Sequence, residues 1–276
     1  MRPASTPAYV TEILNYSIAD KIALASRAYS AADHSAPLVS IVIPAFNEEE
    51  HILHPILSIS RNKTAYPFEI IVVDNNSTDK TGELAASTGI TCILETKKGV
   101  TAARTAGLMA AKGKYIINAD ADSIYPEGWI NELITPMEQD DKVALAYGRF
   151  AFMPDKMTGR FSYFLYENLA DILRLYKRKL KDEAMNVYGC SSAFRKADCL
   201  KVDLYEHPPG TGEDGWLALK LRNKGFGRLH YVSTMKALVW TIDRHLQQDG
   251  GLWKALAMRV KSVFFGSDPD KYHVKG

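Results

Sequence analysis

The sequence predicts an α/β protein built on a doubly wound, parallel sheet flanked by helices, and three observations predict it. Short runs of branched apolar residues alternate with helical patterns from Leu38 onward, the signature of βαβ units. Gly89 and Gly113 stand where the helical patterns stop, as glycine does at helix ends. Carboxylates lie at or just past strand ends, at Asp74, Asp120 and Asp122, where open α/β sheets hold their ligands.

Each element has its own warrant. LVSIVIPAF (38–46) is a first strand bounded by Pro37 and by the turn from Pro44 to Asn47, and EEEHILHPILSIS after it reads as a helix with an acidic first turn. FEIIVVD (68–74) is the second strand; Ser77, with Asp79 behind it, is placed to cap a helix through Glu83, Leu84 and Ala85 to Thr88. TCILET (91–96) is the third strand, Lys97-Lys98-Gly99 leads into the small-residue helix VTAARTAGLMAAK, and YIINA (115–119) is the fourth strand. PEGWINELITPMEQ (126–139) reads as a helix with Pro126 in its first turn. VALAYGRFAFM (143–153) reads as one strand, FSYFLYENLADILRLYKRKLK (161–181) as a long aromatic helix, and VYGCSSAFRKADCL as a glycine and serine turn. The stripe Phe161, Phe164, Leu165, Leu169 and Ile172 is read as core-facing. In the N-terminal arm, Ile13, Leu14, Ile18, Ile22 and Leu24 fall near helical spacing and predict an amphipathic helix packed on the main domain. One compact domain over 38–240 is expected, with a helical arm (1–37) and a C-terminal tail (241–276).

Composition narrows the function classes. With 46% hydrophobic and 24% charged residues, the 276-residue chain is neither disordered nor fibrous. A formal charge of +2 gives no bulk affinity for nucleic acid. Cys92, Cys190 and Cys199 lack metal-ligand spacing and read as buried thiols of a reducing compartment. No segment approaches the roughly 18 apolar residues of a membrane span, so a cytoplasmic protein is expected.

Asp120-Ala121-Asp122 follows the buried run Tyr115-Ile116-Ile117-Asn118-Ala119. Two carboxylates at i and i+2 form an oxygen-rich site for a hard divalent cation, magnesium or manganese rather than zinc, of the kind that holds a diphosphate. Lys98, Gly99 and Arg104 lie where a helix starts, a setting that suits negative charge, although Arg104 can instead pair with a structural carboxylate. Glu213-Asp214 opens the helix WLALKLRNKG after the glycine-containing loop 207–212.

Taken in order, Ser40-Ile41-Val42-Ile43-Pro44-Ala45-Phe46-Asn47-Glu48-Glu49, Val72-Val73-Asp74-Asn75-Asn76-Ser77-Thr78-Asp79, Gly99 with Ala103-Arg104 and Gly107, Asp120-Ala121-Asp122, and Gly212-Glu213-Asp214 resemble the family 2 glycosyltransferases of GT-A fold. The resemblance covers 39–225 and implies a Rossmann-like, mixed, mostly parallel sheet flanked by helices. It also implies transfer of a sugar from a nucleotide diphosphate donor, UDP- or GDP-linked, to an acceptor hydroxyl. It assigns 38–125 to the donor and 126–240 to the acceptor. By the resemblance, Pro44, Phe46 and Glu48 surround base and ribose, and Asp74 accepts from a base N–H. Asp122, with Ala121 beside it, is the direct metal ligand; Asp120 meets ribose or metal. Asp214 is the base and Glu213 orients it or binds the acceptor. Against this, Glu48 and Glu49 also suit an acidic helix start, and Asn75, Asn76 and Ser77 read as caps.

The Gln-X-X-Arg-Trp motif and membrane helices of processive synthases are absent from the sequence, which implies non-processive transfer. Arg244 or His245 is a further candidate for the diphosphate or metal. The segment 252–266 and the cationic run 174–181 suit either core packing or contact with anionic headgroups at the inner face of the cell membrane, as a lipid-linked acceptor in cell-envelope synthesis would require. Three alternatives stay open: a retaining GT-A enzyme, a sugar nucleotidylyltransferase, and a non-catalytic nucleotide-sugar-binding relative. The Pro-Ala-Phe-Asn-Glu turn stands where a nucleotidylyltransferase has a glycine-rich loop and counts against that alternative.

Overall fold

Valine and isoleucine dominate positions 39–45 and 68–74, Ser40 and Glu69 are buried in a mutual hydrogen bond at 2.6 Å, and both runs become central strands. β1 (Val39–Ala45) and β2 (Phe68–Asp74) pair in parallel, Val39 opposite Phe68 and Ala45 opposite Asp74. β3 (Thr91–Leu94) adds in parallel to β2, and β4 (Tyr115–Asn118) adds in parallel to the other side of β1. The computed structural model describes residues 1–155, 158–178, 182–209, 211–244, 252 and 254, the side chains of 173–178 and 185 aside.

The sheet has seven strands in the order β3-β2-β1-β4-β7-β5-β8, with β5 (Val143–Tyr147), β7 (Ser192–Arg195) and β8 (Arg228–Tyr231) completing it. β7 runs antiparallel to both β4 and β5, and β5 is parallel to β8. Two reversals cancel, so β1, β2, β4, β5 and β8 all end on one edge. That edge collects Asp74, Asp120, Asp122, Tyr147 and Tyr231.

Successive strand residues point to opposite faces, and both faces are covered. Ile41, Ile43, Ile70, Val72 and Ile117 pack with α3 (Leu53–Ser60) and α6 (Trp129–Gln139). Val42, Ile71, Val73 and Ile116 pack with α5 (Val100–Ala110) and α9 (Glu213–Asn223). Gly107 lets α5 approach: a Cβ there would lie 2.3 Å from Val42 Cγ1.

The structure revises several expectations. The N-terminal arm forms two helices, α1 (Ala8–Asn15) and α2 (Ile18–Ser30), because the Ser17 hydroxyl accepts from the Asp20 N–H and starts a second one. Val10, Ile13 and Ala25 join the main core, whereas Leu14 and Ile18 are exposed. The helices expected after the first and fourth strands start later than expected, at Leu53 and Trp129, so Glu48 and Glu49 lie in a turn before α3 rather than in its first turn. Asp79, not Ser77, receives the Thr81 N–H at the start of α4 (Thr81–Ala86).

The run 143–153 is two strands, not one. Gly148 breaks it, and β6 (Phe150–Phe152) leaves to pair in parallel with β9 (Val239–Thr241). A Cβ at Gly148 would meet Ser191 Oγ at 2.5 Å, so the chain crosses there only without a side chain. The glycine and serine turn contains β7 and the short α8 (Lys196–Cys199). On α7 (Arg160–Arg178) the expected core stripe faces outward: Phe161 and Ile172 are 63% and 62% exposed, and Leu165 and Leu169 are exposed too. Tyr163, Tyr166 and Ala170, on the helix's other face, are the buried residues, and Arg160 and Glu167 form a buried ion pair at 2.6 Å. His245 and nearly all of 252–266 lie outside the described residues. The three cysteines are free thiols, two of them buried.

Candidate functional site

Five segments converge at the carboxyl edge. The turn after β1 delivers Glu48, the end of β4 delivers Asp120 and Asp122, α5 delivers Arg104, the start of α9 delivers Glu213 and Asp214, and the chain after β9 delivers Arg244. They form two ionic clusters.

The inner cluster is centred on Arg104, whose side chain is 2% exposed. It lies 3.3 Å from Asp120, 3.4 Å from Glu213 and 3.7 Å from Asp214. Burial works against its charge, but Asp214, Asp120 and Glu213 more than compensate, and its pKa rises. Burial pushes Asp214 up to about 7, with Arg104 opposing and Glu213 and Asp120 reinforcing. Asp120 is pushed up to about 6, again by burial against the pull of Arg104, with Asp122 and Glu213 adding to the rise. Its side chain remains 39% open, so Asp120 sits deep in a cleft that reaches solvent.

Support for this cluster comes from residues to which the sequence assigned no role. The Asn118 amide donates to Asp214 Oδ1 at 3.1 Å and to Ser192 Oγ, and the Tyr205 hydroxyl donates to Asn118 Oδ1 at 2.8 Å. These bonds fix the Asp214 carboxylate from below. Gly189 closes one side: a Cβ would stand 2.0 Å from an Arg104 nitrogen and 2.4 Å from Asp214 Oδ2. Asn118 was readable as a polar residue in an apolar strand, but nothing in the sequence links Tyr205 or Gly189 to Asp214.

The outer cluster joins Asp122, Glu48 and Arg244. Arg244 lies 3.2 Å from Asp122 Oδ2 and donates to Glu48, and its side chain is 41% exposed. Asp122 Oδ1 accepts from the hydroxyls of Ser123 and Thr241. Arg244, left in the sequence as a side candidate, therefore ties the turn after β1 to the end of β4. Among the described residues no group of three His, Cys, Asp or Glu side chains could hold a metal. The oxygen donors of Asp122 and Asp120 fit instead a magnesium or manganese ion that takes one or two protein carboxylates and completes its shell with phosphate and water.

The remaining candidates lie along the same edge. Asp74 Oδ1 accepts from the Ser77 N–H at 3.0 Å, and Gly82 packs against Oδ2 closely enough that a Cβ would be 2.7 Å away. Pro44 is in β1, and Phe46 follows it, half exposed; Ala121 is buried between the two aspartates. Gly99, at φ 118°, begins α5, and its N–H donates to Asn75 Oδ1. The Asn75 amide binds the carbonyls of Glu95 and Lys97, so its role is to brace that loop. Lys98 is exposed and stands apart from both clusters.

A mostly parallel sheet with one inserted antiparallel strand, helices on both faces and carboxylates on the carboxyl edge is the architecture of the GT-A fold. The chain belongs to glycosyl transferase family 2, whose family model matches residues 40–202. Glycosyltransferase GlyG of Streptococcus pneumoniae is 29% identical over 169 residues, which cover 57% of this chain and 54% of that protein. An uncharacterized glycosyltransferase of Haemophilus influenzae is 31% identical over 131 residues, 45% of this chain and 40% of its own length. The matched region thus spans only about half of these relatives or less. The fold is shared with the mannosyltransferase PcManGT of Pyrobaculum calidifontis, solved with GDP-Man and Mn2+, at a TM-score of 0.57, 17% identity and coverage of 92% of this chain and 81% of that one. It is shared also with glucosyl-3-phosphoglycerate synthase of Mycobacterium tuberculosis, solved with Mn2+, UDP and phosphoglyceric acid, at a TM-score of 0.54, 21% identity and coverage of 90% and 83%. Among the described residues, no helix is long and apolar enough to cross a membrane.

Proposed function

We propose that this glycosyltransferase moves a sugar from a nucleoside diphosphate donor to an acceptor hydroxyl, with inversion and without processive elongation. The observation that carries the reading is the inner cluster: one buried guanidinium holds Asp120, Glu213 and Asp214 together at the strand edge. Asp214, raised to about 7, is poised as a general base at neutral pH. It takes the proton of the acceptor hydroxyl while that oxygen bonds to the anomeric carbon and the bond from that carbon to the phosphate oxygen breaks. Asn118 and Gly189 hold the carboxylate in place for this step. Arg104 is a positioning residue: its guanidinium is occupied by the acids and keeps Asp214 from rising further.

Asp122, with Asp120 beside it, would hold the divalent cation, which when bound supplies Lewis-acid neutralisation of the departing diphosphate. Arg244 shares Asp122 with that role and adds a cation at the same mouth. Asp74, Glu48, Pro44 and Phe46 line the donor end, where Asp74 accepts from a base N–H and Phe46 offers an exposed ring. Lys98 and Gly99 enter this reading as the loop beside the base.

The exposed face of α7 supports peripheral contact with an anionic membrane: Phe161, Leu165, Leu169 and Ile172 face outward, and the sequence continues into the cationic run 174–181. Co-sedimentation with vesicles containing anionic lipid checks it, and loss of binding in Phe161→Ser with Ile172→Ser is expected. The donor reading is tested by calorimetric titration of UDP and of GDP, with manganese and with EDTA. Metal-dependent binding of one nucleotide is expected; no binding of either by folded protein would overturn it.

A further inference from the structure

The carboxyl edge carries a second concavity that the donor and base residues do not use. A cavity of about 450 Å³ lies past β5 and β8, with Tyr147, Arg149, Asn168, Asp171, Asn186 and Tyr231 in its wall. Its volume falls within the roughly 300–1,000 Å³ of small-molecule sites. Tyr147 and Tyr231 are register partners whose rings stand 5.4 Å apart, and Tyr231 is partly open to solvent.

The cavity wall shares a loop with the residue that flanks the base. Asn186 precedes by three residues Gly189, the residue pressed against Asp214. A chain advances at most about 3.6 Å per residue, which keeps these two backbone positions within roughly 11 Å. The Gly148 N–H, one residue before Arg149, donates to the Ser191 carbonyl at 2.8 Å and joins the cavity wall to the same loop.

Arg149 sets the chemistry. Its Nε is buried without a hydrogen-bond partner, and one terminal nitrogen meets only the weak acceptor Met235 Sδ at 3.7 Å. Among the described residues no carboxylate lies within ion-pair reach of it, unlike Arg104 and Arg244. Asp171, the acid on the cavity wall, is paired with Arg2 at 3.0 Å. A half-buried guanidinium without a counter-charge is a receptor for a carboxylate or phosphate, which it binds with paired N–H donors.

We infer that this cavity is the acceptor subsite and that the acceptor is a polyhydroxylated anion, a sugar or polyol bearing a carboxylate or phosphate. Arg149 takes the charged group, Tyr231 offers a ring face to the carbon skeleton, and a free hydroxyl reaches Asp214. The inference rests on the assignment of Asp214 as base.

The test is calorimetric titration of the full chain, in EDTA, with glucose 6-phosphate, glucuronate and neutral glucose, using wild type, Arg149→Gln and Asp122→Ala. At least one charged probe should bind more tightly than glucose, weaken about tenfold or more in Arg149→Gln, and keep its affinity in Asp122→Ala. Unchanged UDP or GDP binding with manganese would show that Arg149→Gln is folded. Charged probes that bind equally to wild type and Arg149→Gln, or none that binds wild type, would overturn the inference while leaving the donor site standing. Charged-probe binding that depends on Arg149, with no nucleotide binding by wild type, would uphold the cavity and defeat the donor reading instead.

Discussion

Two arginines gather the acids of this site, and they do so under opposite conditions. Arg104 is 2% exposed among three carboxylates, whereas Arg244 is 41% exposed between two. In the inner cluster burial of Arg104 and Asp214 limits screening by water, so the acids compete for one cation and two of them hold protons above their usual range. In the outer cluster the guanidinium can swing away, and Asp122 stays available to another cation. On the proposed function, burial divides the labour: the inner group stores and moves a proton, and the outer group exchanges partners with a charged substrate.

The largest expected effect separates the clusters by chemistry. Asp214→Asn keeps the shape of the inner cluster but removes the base, so turnover should fall about 10²- to 10⁴-fold with nucleotide binding retained, as read by steady-state rates and titration. Arg104→Met attacks the same cluster through stability. Leaving buried acids without their cation should cost about 3–5 kcal/mol in urea unfolding at pH 8. The loss should shrink at pH 5, where Asp120 and Asp214 are protonated.

The pH dependence sharpens the contrast further. Asp214 and Asp120 have folded pKa values raised to about 7 and about 6, above the ordinary value of 3.8. Their contribution to stability is therefore fully present below pH 3.8 and is lost as pH rises through 6 to 7. Activity moves the other way: kcat/KM should climb through a limb near pH 7 as Asp214 loses its proton, and Arg104→Lys, with a cation kept, should preserve that limb. Gly189→Ala, which forces a methyl between Arg104 and Asp214, should lower kcat about 10²-fold with little change in donor KM. Arg244→Gln is the smallest perturbation: an exposed pair contributes about 0–1 kcal/mol, so unfolding should barely change while affinity for the metal nucleotide weakens.

The same contrast governs what was legible in the sequence. The strands that position the site announce themselves through unbroken apolar runs, and Asp74, Asp120 and Asp122 stand at their ends. Glu213 and Asp214 open a helix, a placement visible from the loop before it. The inner cluster's support was not visible, because Gly189 meets Asp214, and Tyr205 reaches it through Asn118, only by long-range contacts of the folded chain. β7 itself hides in a small-residue stretch with no alternation to betray it. The stripe on α7 has good helical spacing, yet spacing fixes a face without saying which way it points. The buried Arg160 and Glu167 pair, on the helix's other face, decides that.

The most direct test of the division between the clusters is to titrate manganese with UDP, or with GDP if that is the nucleotide bound, into wild type, Asp122→Ala and Asp214→Asn side by side. This division predicts that Asp122→Ala loses metal-dependent binding and that Asp214→Asn binds as wild type does. Equal loss in both variants would contradict it, since Asp214 would then belong to the donor site rather than to proton transfer.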